Sequence, residues 1–147
     1  MTQEDKELLI VDLCARLPFM PKIKITYQQQ GIKGTDEGRV SCDFIEKIVN
    51  DLRNGVITDM QIFLRPMSSM TEEEKSEFIN YAGYEVEESV NGRHYEYYLK
   101  DFVGTKEEPI ANVDAIDWLN AHHFDYRGLI PKGLAIEVTK ENNPYKK

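Results

Sequence analysis

The sequence predicts an α+β domain: a small antiparallel sheet, barrel-like if its edges curl together, packed with about three helices. Three observations carry this. Apolar residues recur at helical spacing near the N-terminus, after Thr71 and after Asn112. Between them, runs such as Lys22–Gln28 and Met60–Leu64 alternate apolar with polar, the period of a half-buried strand. Turn signals at Asn54-Gly55 and Asn91-Gly92 then separate neighbouring runs. At 147 residues the chain suits a single domain, with a polar tail from about Lys140 that is expected to fray.

Thr2 with Asp5 three residues on resembles a capping box, and Leu9, Ile10, Leu13, Cys14 and Leu17 give the next segment one apolar face. A helix over Gln3 to Arg16 follows, stopped by Pro18 and Pro21. In the strand at Lys22–Gln28, Ile23, Ile25 and Tyr27 face one way. Gly31, Gly34 and Gly38 mark turns beyond it. They do not make a phosphate loop, because QGIKGTDEGRV lacks a GKS or GKT ending and carries two acids where phosphate would sit. Val40, Cys42 and Phe44 alternate as a second strand. Ile45, Ile48, Val49 and Leu52 fit either a helical turn or a strand, with the helix preferred. Met60, Ile62 and Leu64 make a third strand ahead of Pro66.

Thr71 followed by Glu72, Glu73 and Glu74 is a cleaner capping box, which assigns the acids to the helix end rather than to a metal. That helix buries Phe78, Ile79 and Ala82 and ends at Gly83. Asn91-Gly92 predicts a hairpin between Tyr84–Val90 and Arg93–Phe102. After the connector Gly104–Pro109, a third helix puts Ala115, Ile116, Trp118, Leu119, His122 and His123 on one side. Asp114, Asp117, Asn120 and Ala121 fall on the other. The chain then turns through Phe124–Gly128 and, past Pro131 and Gly133, enters a strand at Leu134–Val138.

Eighteen basic residues against 26 acidic ones give a net charge of −8, which repels phosphate and anionic lipid. Tyr95, Tyr97 and Tyr98 could stack on bases, but the charge argues against nucleic acid and toward a basic protein partner. Cys14 and Cys42 read as buried free thiols of a reducing compartment. The acidic N-terminus does not resemble a signal peptide, and no apolar run approaches the ~20 residues that span a bilayer. The expectation is a cytoplasmic protein with no membrane contact.

Imidazoles titrate near neutral pH and ligate metals, so His122 and His123, with Asp125 and His94 from the hairpin, form the candidate catalytic or metal-binding set. Adjacent helical positions point apart, which favours a structural reading in which both rings support the scaffold. Asp125 and Arg127 are spaced to pair across a turn and hold Tyr126 at its rim. No GxSxG nucleophile, catalytic triad or cofactor motif occurs, so no catalytic residue, metal ligand or cofactor is assigned. The mixture of Phe124, Tyr126 and Arg127 with Arg65, Met67 and Met70 has the composition of an interface.

Two segments, LRPMSSMTEEEK (Leu64 to Lys75) and WLNAHHFDYRGLIPKGLAIE (Trp118 to Glu137), with the DLCARLP opening and the Asn-Pro-Tyr-Lys ending, carry a resemblance. They are similar to a family of short proteins from the genomes and phages of gut anaerobic bacteria. Residues 28–54 and the hairpin region carry little of it. The resemblance implies a cytoplasmic accessory protein of mobile-element or prophage origin and transfers no activity, cofactor or catalytic residue. The functional expectation is a non-catalytic protein-interaction module. The alternatives are a small metal-dependent or His-dependent hydrolase and an acidic inhibitor of a nucleic-acid enzyme.

Overall fold

The first helix, α1 (Gln3–Arg16), begins where its capping box places it. Thr2 Oγ1 accepts from the Asp5 amide at 3.0 Å, and the Asp5 carboxylate accepts from the Thr2 amide at 3.2 Å. The structure, a computed structural model, describes residues 1–82 and 113–146. The hairpin expected over 84–102, with His94, and the helix stop at Gly83 lie outside the described residues. After a 3₁₀ turn at Leu17–Phe19, β1 (Lys22–Gln29) and β2 (Ile32–Arg39) pair antiparallel. Their two-residue loop, Gln30-Gly31, has φ of 51° and 81°, the left-handed pair that matches strand twist and that glycine adopts without strain.

The remaining elements are α2 (Ile45–Arg53), β3 (Ile57–Leu64), a 3₁₀ turn at Met67–Ser69, α3 (Glu72–Ala82), α4 (Val113–Ala121) and β4 (Ala135–Glu137). Among the described residues this is an α+β fold with four helices on a four-stranded sheet, order β2-β1-β3-β4. The sheet is open and mixed, where the sequence suggested antiparallel pairing and a tendency to close. β4 runs parallel to β3 because it returns by a crossover through α3 and α4, not by a hairpin.

Gly34 and Gly38 stand inside β2, and the strand expected at Val40, Cys42 and Phe44 is instead a turn leading into α2. Local turn preference loses here to the eight-residue pairing with β1, which the short loop sets in register. The helical reading of Ile45 to Leu52 holds. Cys14 and Cys42 are both exposed, against the expectation of core thiols. In α1 the inner face carries Asp12 and Arg16 beside Leu9 and Leu13, which leaves Cys14 off it. Asn120, assigned to the outer face of the last helix, is buried.

Two apolar clusters form. The larger joins Leu9 and Leu13 of α1, Leu52 of α2, and Ile23, Met60, Ile62 and Leu64 of the sheet. The smaller gathers Met70, Phe78, Ala115, Trp118, Leu119 and Phe124 where α3 meets α4. Near the C-terminus, the Tyr145 hydroxyl accepts from the Lys22 amide at 2.9 Å and donates to the Phe63 carbonyl at 2.8 Å, so the expected frayed tail is a strap.

Candidate functional site

The loop after α4 is held by an ion-paired network, most of it buried. Arg16 Nε donates to Asp12 Oδ2 at 2.8 Å and Arg16 Nη2 to Asp12 Oδ1 at 3.1 Å, with both residues fully buried. The same Nη2 donates to the Phe124 carbonyl at 2.7 Å, tying the loop to α1. Arg127 Nε donates to Asp12 at 3.1 Å and its Nη2 to the Tyr126 hydroxyl at 3.1 Å. That hydroxyl donates in turn to Asn120 Oδ1 at 2.8 Å. Burial pushes the Tyr126 phenol above its ordinary value, against the opposing pull of Arg127 and Arg16.

Asp125 and Arg127 therefore do not pair across the turn as their spacing suggested. Both Asp125 oxygens accept backbone amides, from Leu129 at 2.8 Å and Ile130 at 2.9 Å, and Arg127 reaches α1 instead. The free amides of the return segment satisfy a buried carboxylate better than a rim guanidinium does.

His122 and His123 have separate partners. His122 Nδ1 lies 2.9 Å from the Trp118 carbonyl, which can only accept, so that nitrogen carries the proton; the ring also stacks on Trp118. His123 leaves the helix at φ 62° and lies flat on Tyr145, centroids 3.4 Å apart. Burial, reinforced by Arg16, Arg39, His122 and Arg65, pushes His123 down to about 3, so it is neutral at physiological pH. Burial likewise raises Tyr145 to about 12. Among the described residues no group of three or more His, Cys, Asp or Glu is placed to hold a metal.

Of the interface residues expected from composition, two are buried and Arg65, Met67, Tyr126 and Arg127 are half-buried. Phe124 and Met70 are buried in the smaller cluster, and Met67 and Tyr126 pack against it. Arg65 makes a two-pronged ion pair with Glu74, at 2.8 and 2.7 Å, and its guanidinium lies 4.2 Å from the centre of the Phe124 ring. Burial raises Glu74, but the bonds from Arg65 and Thr71 outweigh it and hold the carboxyl below its usual value. An aromatic and arginine-rich stretch looks the same in sequence whether it faces a partner or its own core.

The open surface lies elsewhere. Between β2 and α2 runs a groove of about 330 Å³, with Ile23, Ile25, Val40, Ile48 and Ile57 along it and Phe44 at its lip. It exists because β2 offers little on that face. The register sets Gly38 beside Ile23 and Asp36 beside Ile25, and a Cβ added at Gly38 would meet nothing within 4 Å. Gly34, by contrast, is covered by the Tyr27 ring. Phe44, just ahead of α2, remains 61% exposed.

The charged groups of the rim are mostly engaged within the chain. Lys47 pairs with Asp51 at 2.9 Å and Glu37 with Lys22 at 3.3 Å. Arg39 donates to the carbonyls of Met20 and Phe19. Asp36 accepts the Glu37 amide at 2.9 Å. The sequence signal for this groove was Gly38, a side chain missing two residues before Val40.

No protein-family model, curated protein or solved structure matches this chain.

Proposed function

We propose that this chain is a non-catalytic protein-interaction module whose docking surface is the groove between β2 and α2. The observation that carries the reading is Phe44, a large aromatic side chain 61% exposed beside an apolar floor that glycine leaves uncovered. Such a surface gains free energy from covering apolar area. Its rim ion pairs are already closed, so few polar groups remain to orient a small polar substrate. The occupant is a protein segment that presents apolar side chains with a lysine or arginine for Asp36, in keeping with the net charge of −8. The class of function is the one the sequence suggested; the place is another, since the polar groups of the 124–128 loop are already bonded to Asp12, Arg16 and Asn120. An accessory role in a mobile element is compatible with it.

Selection from a displayed library of random peptides tests this. Enriched peptides should combine apolar residues with a basic one. Their binding should be lost in a Gly38→Val/Phe44→Ala variant whose circular dichroism and melting match the parent. No enrichment over an unrelated acidic domain, or binding indifferent to both substitutions, would remove the proposal.

A further inference from the structure

We infer that β2, which walls this groove, also joins a second copy of the chain by antiparallel pairing of β2 with β2 about a two-fold axis at Thr35. The inference rests on the reading that the β2 side of the groove is a docking surface, and it adds a partner at the edge of that wall.

Among the described residues β2 is an edge strand, with β1 on one side and no strand on the other. The tight loop makes Gln29 and Ile32 a hydrogen-bonded pair, so the even-numbered residues of β2 turn their amides and carbonyls toward β1. The Val40 amide follows the same parity, donating to the Pro21 carbonyl at 2.9 Å. Lys33, Thr35 and Glu37 consequently present their backbone groups outward. An antiparallel copy centred on Thr35 brings Thr35 opposite Thr35 and Lys33 opposite Glu37 of the other chain, so both ladders are satisfied together.

Two features select that register. On the polar face, Lys33 lies opposite Glu37 of the other chain, twice by symmetry, and the half-exposed Glu37 carboxylate, 3.3 Å from Lys22 of its own chain, is shared between the two lysines. A shift by two residues in one direction sets Lys33 against Arg39 of the other chain. On the inner face, the same register places Ile32 opposite Gly38. Ile32 is 66% exposed, an apolar side chain largely uncovered by the described residues, and Gly38 is the position where an added Cβ meets open space. Each chain thus offers a knob at one end of β2 and a hole at the other, as an isologous contact requires. Lysine on an edge discourages foreign strands; opposite Glu37 it favours its own kind.

Eight-residue strands make a contact at the small end of stable interfaces, so assembly should depend on concentration. The test is the mass in solution by sedimentation or light scattering. The parent should approach twice 17.1 kDa as concentration rises into the high micromolar range. Thr35→Pro, which removes only an outward amide, should stay at the chain mass. Lys33→Glu and Glu37→Lys should each dissociate the pair, and the double exchange should restore it. A parent that remains at 17.1 kDa throughout, or a dimer that survives Thr35→Pro and Lys33→Glu, overturns the inference. The peptide selection above reads the groove independently, so a monomer that still selects basic apolar peptides sinks the self-association alone.

Discussion

Asp12 and Arg127 meet at 3.1 Å across 115 positions of sequence, and Asp12 is at the same time the carboxylate that neutralises Arg16 inside the molecule. One acid thereby holds two guanidiniums, and the loop that follows α4 is locked to α1 through them.

Removing that acid should be severe. Asp12→Ala leaves Arg16 buried without its counter-charge, and urea denaturation should show a loss of about 3–5 kcal/mol. Replacing the pair together, Asp12→Leu with Arg16→Met, should lose less than Asp12→Ala alone, because no charge is then stranded. Arg127 is partly exposed and can turn to water. If the double variant is the less stable of the two, the network contributes net stability and is not only a constraint.

The packing of His123 against Tyr145 makes stability depend on acid. The folded value of about 3 lies below the ordinary 6.5, so below 6.5 the unfolded chain binds a proton that the folded chain refuses. Stability is full above 6.5 and falls as pH drops toward 3, at up to about 1.4 kcal/mol per pH unit for one proton. Glu74 acts in the same sense lower down, losing its contribution as pH falls from 4.5 through its folded value. His123→Asn, which tolerates the left-handed backbone, should flatten the slope between pH 6.5 and 4 when melting is followed against pH.

The strap at Tyr145 should be measurable. Tyr145→Phe keeps a ring for His123 but leaves the Lys22 amide and the Phe63 carbonyl without their partner, a loss of about 1–3 kcal/mol. Amide hydrogen exchange at Lys22 should quicken in the same variant. A tail that merely frays would give no change in either.

Two glycines of one strand should behave oppositely. At Gly34 a Cβ would run into the Tyr27 ring and hydroxyl, so Gly34→Ala must displace that ring, at about 1–3 kcal/mol. Gly38→Ala projects into open groove and should stay within about 0.5 kcal/mol of the parent. Equal effects at the two sites would mean that the Tyr27 ring does not lie over β2.

What the sequence determined by itself was local. The two capping boxes, the bounds of α1, the existence of β1, β3 and β4, and the α+β class all follow from short-range rules, while β3 begins at Ile57, three residues ahead of the alternation that marked it. A hydroxyl three residues before a carboxylate, or an alternation of two, acts whatever surrounds it. What only the tertiary structure decided was which polar groups are inside. Asp12 and Arg16 have the spacing of an ordinary exposed helical pair, and the Phe124 carbonyl and Arg127 bury them by arriving from the far end of the chain. The same arrival took Phe124 and Met70 from a surface reading into the core. Gly34 and Gly38 read as turns until pairing with β1 extended them, and only then did the missing side chain at Gly38 open a groove. Burial is a property of the neighbours a residue acquires, and neighbours a hundred positions away leave no periodicity to read.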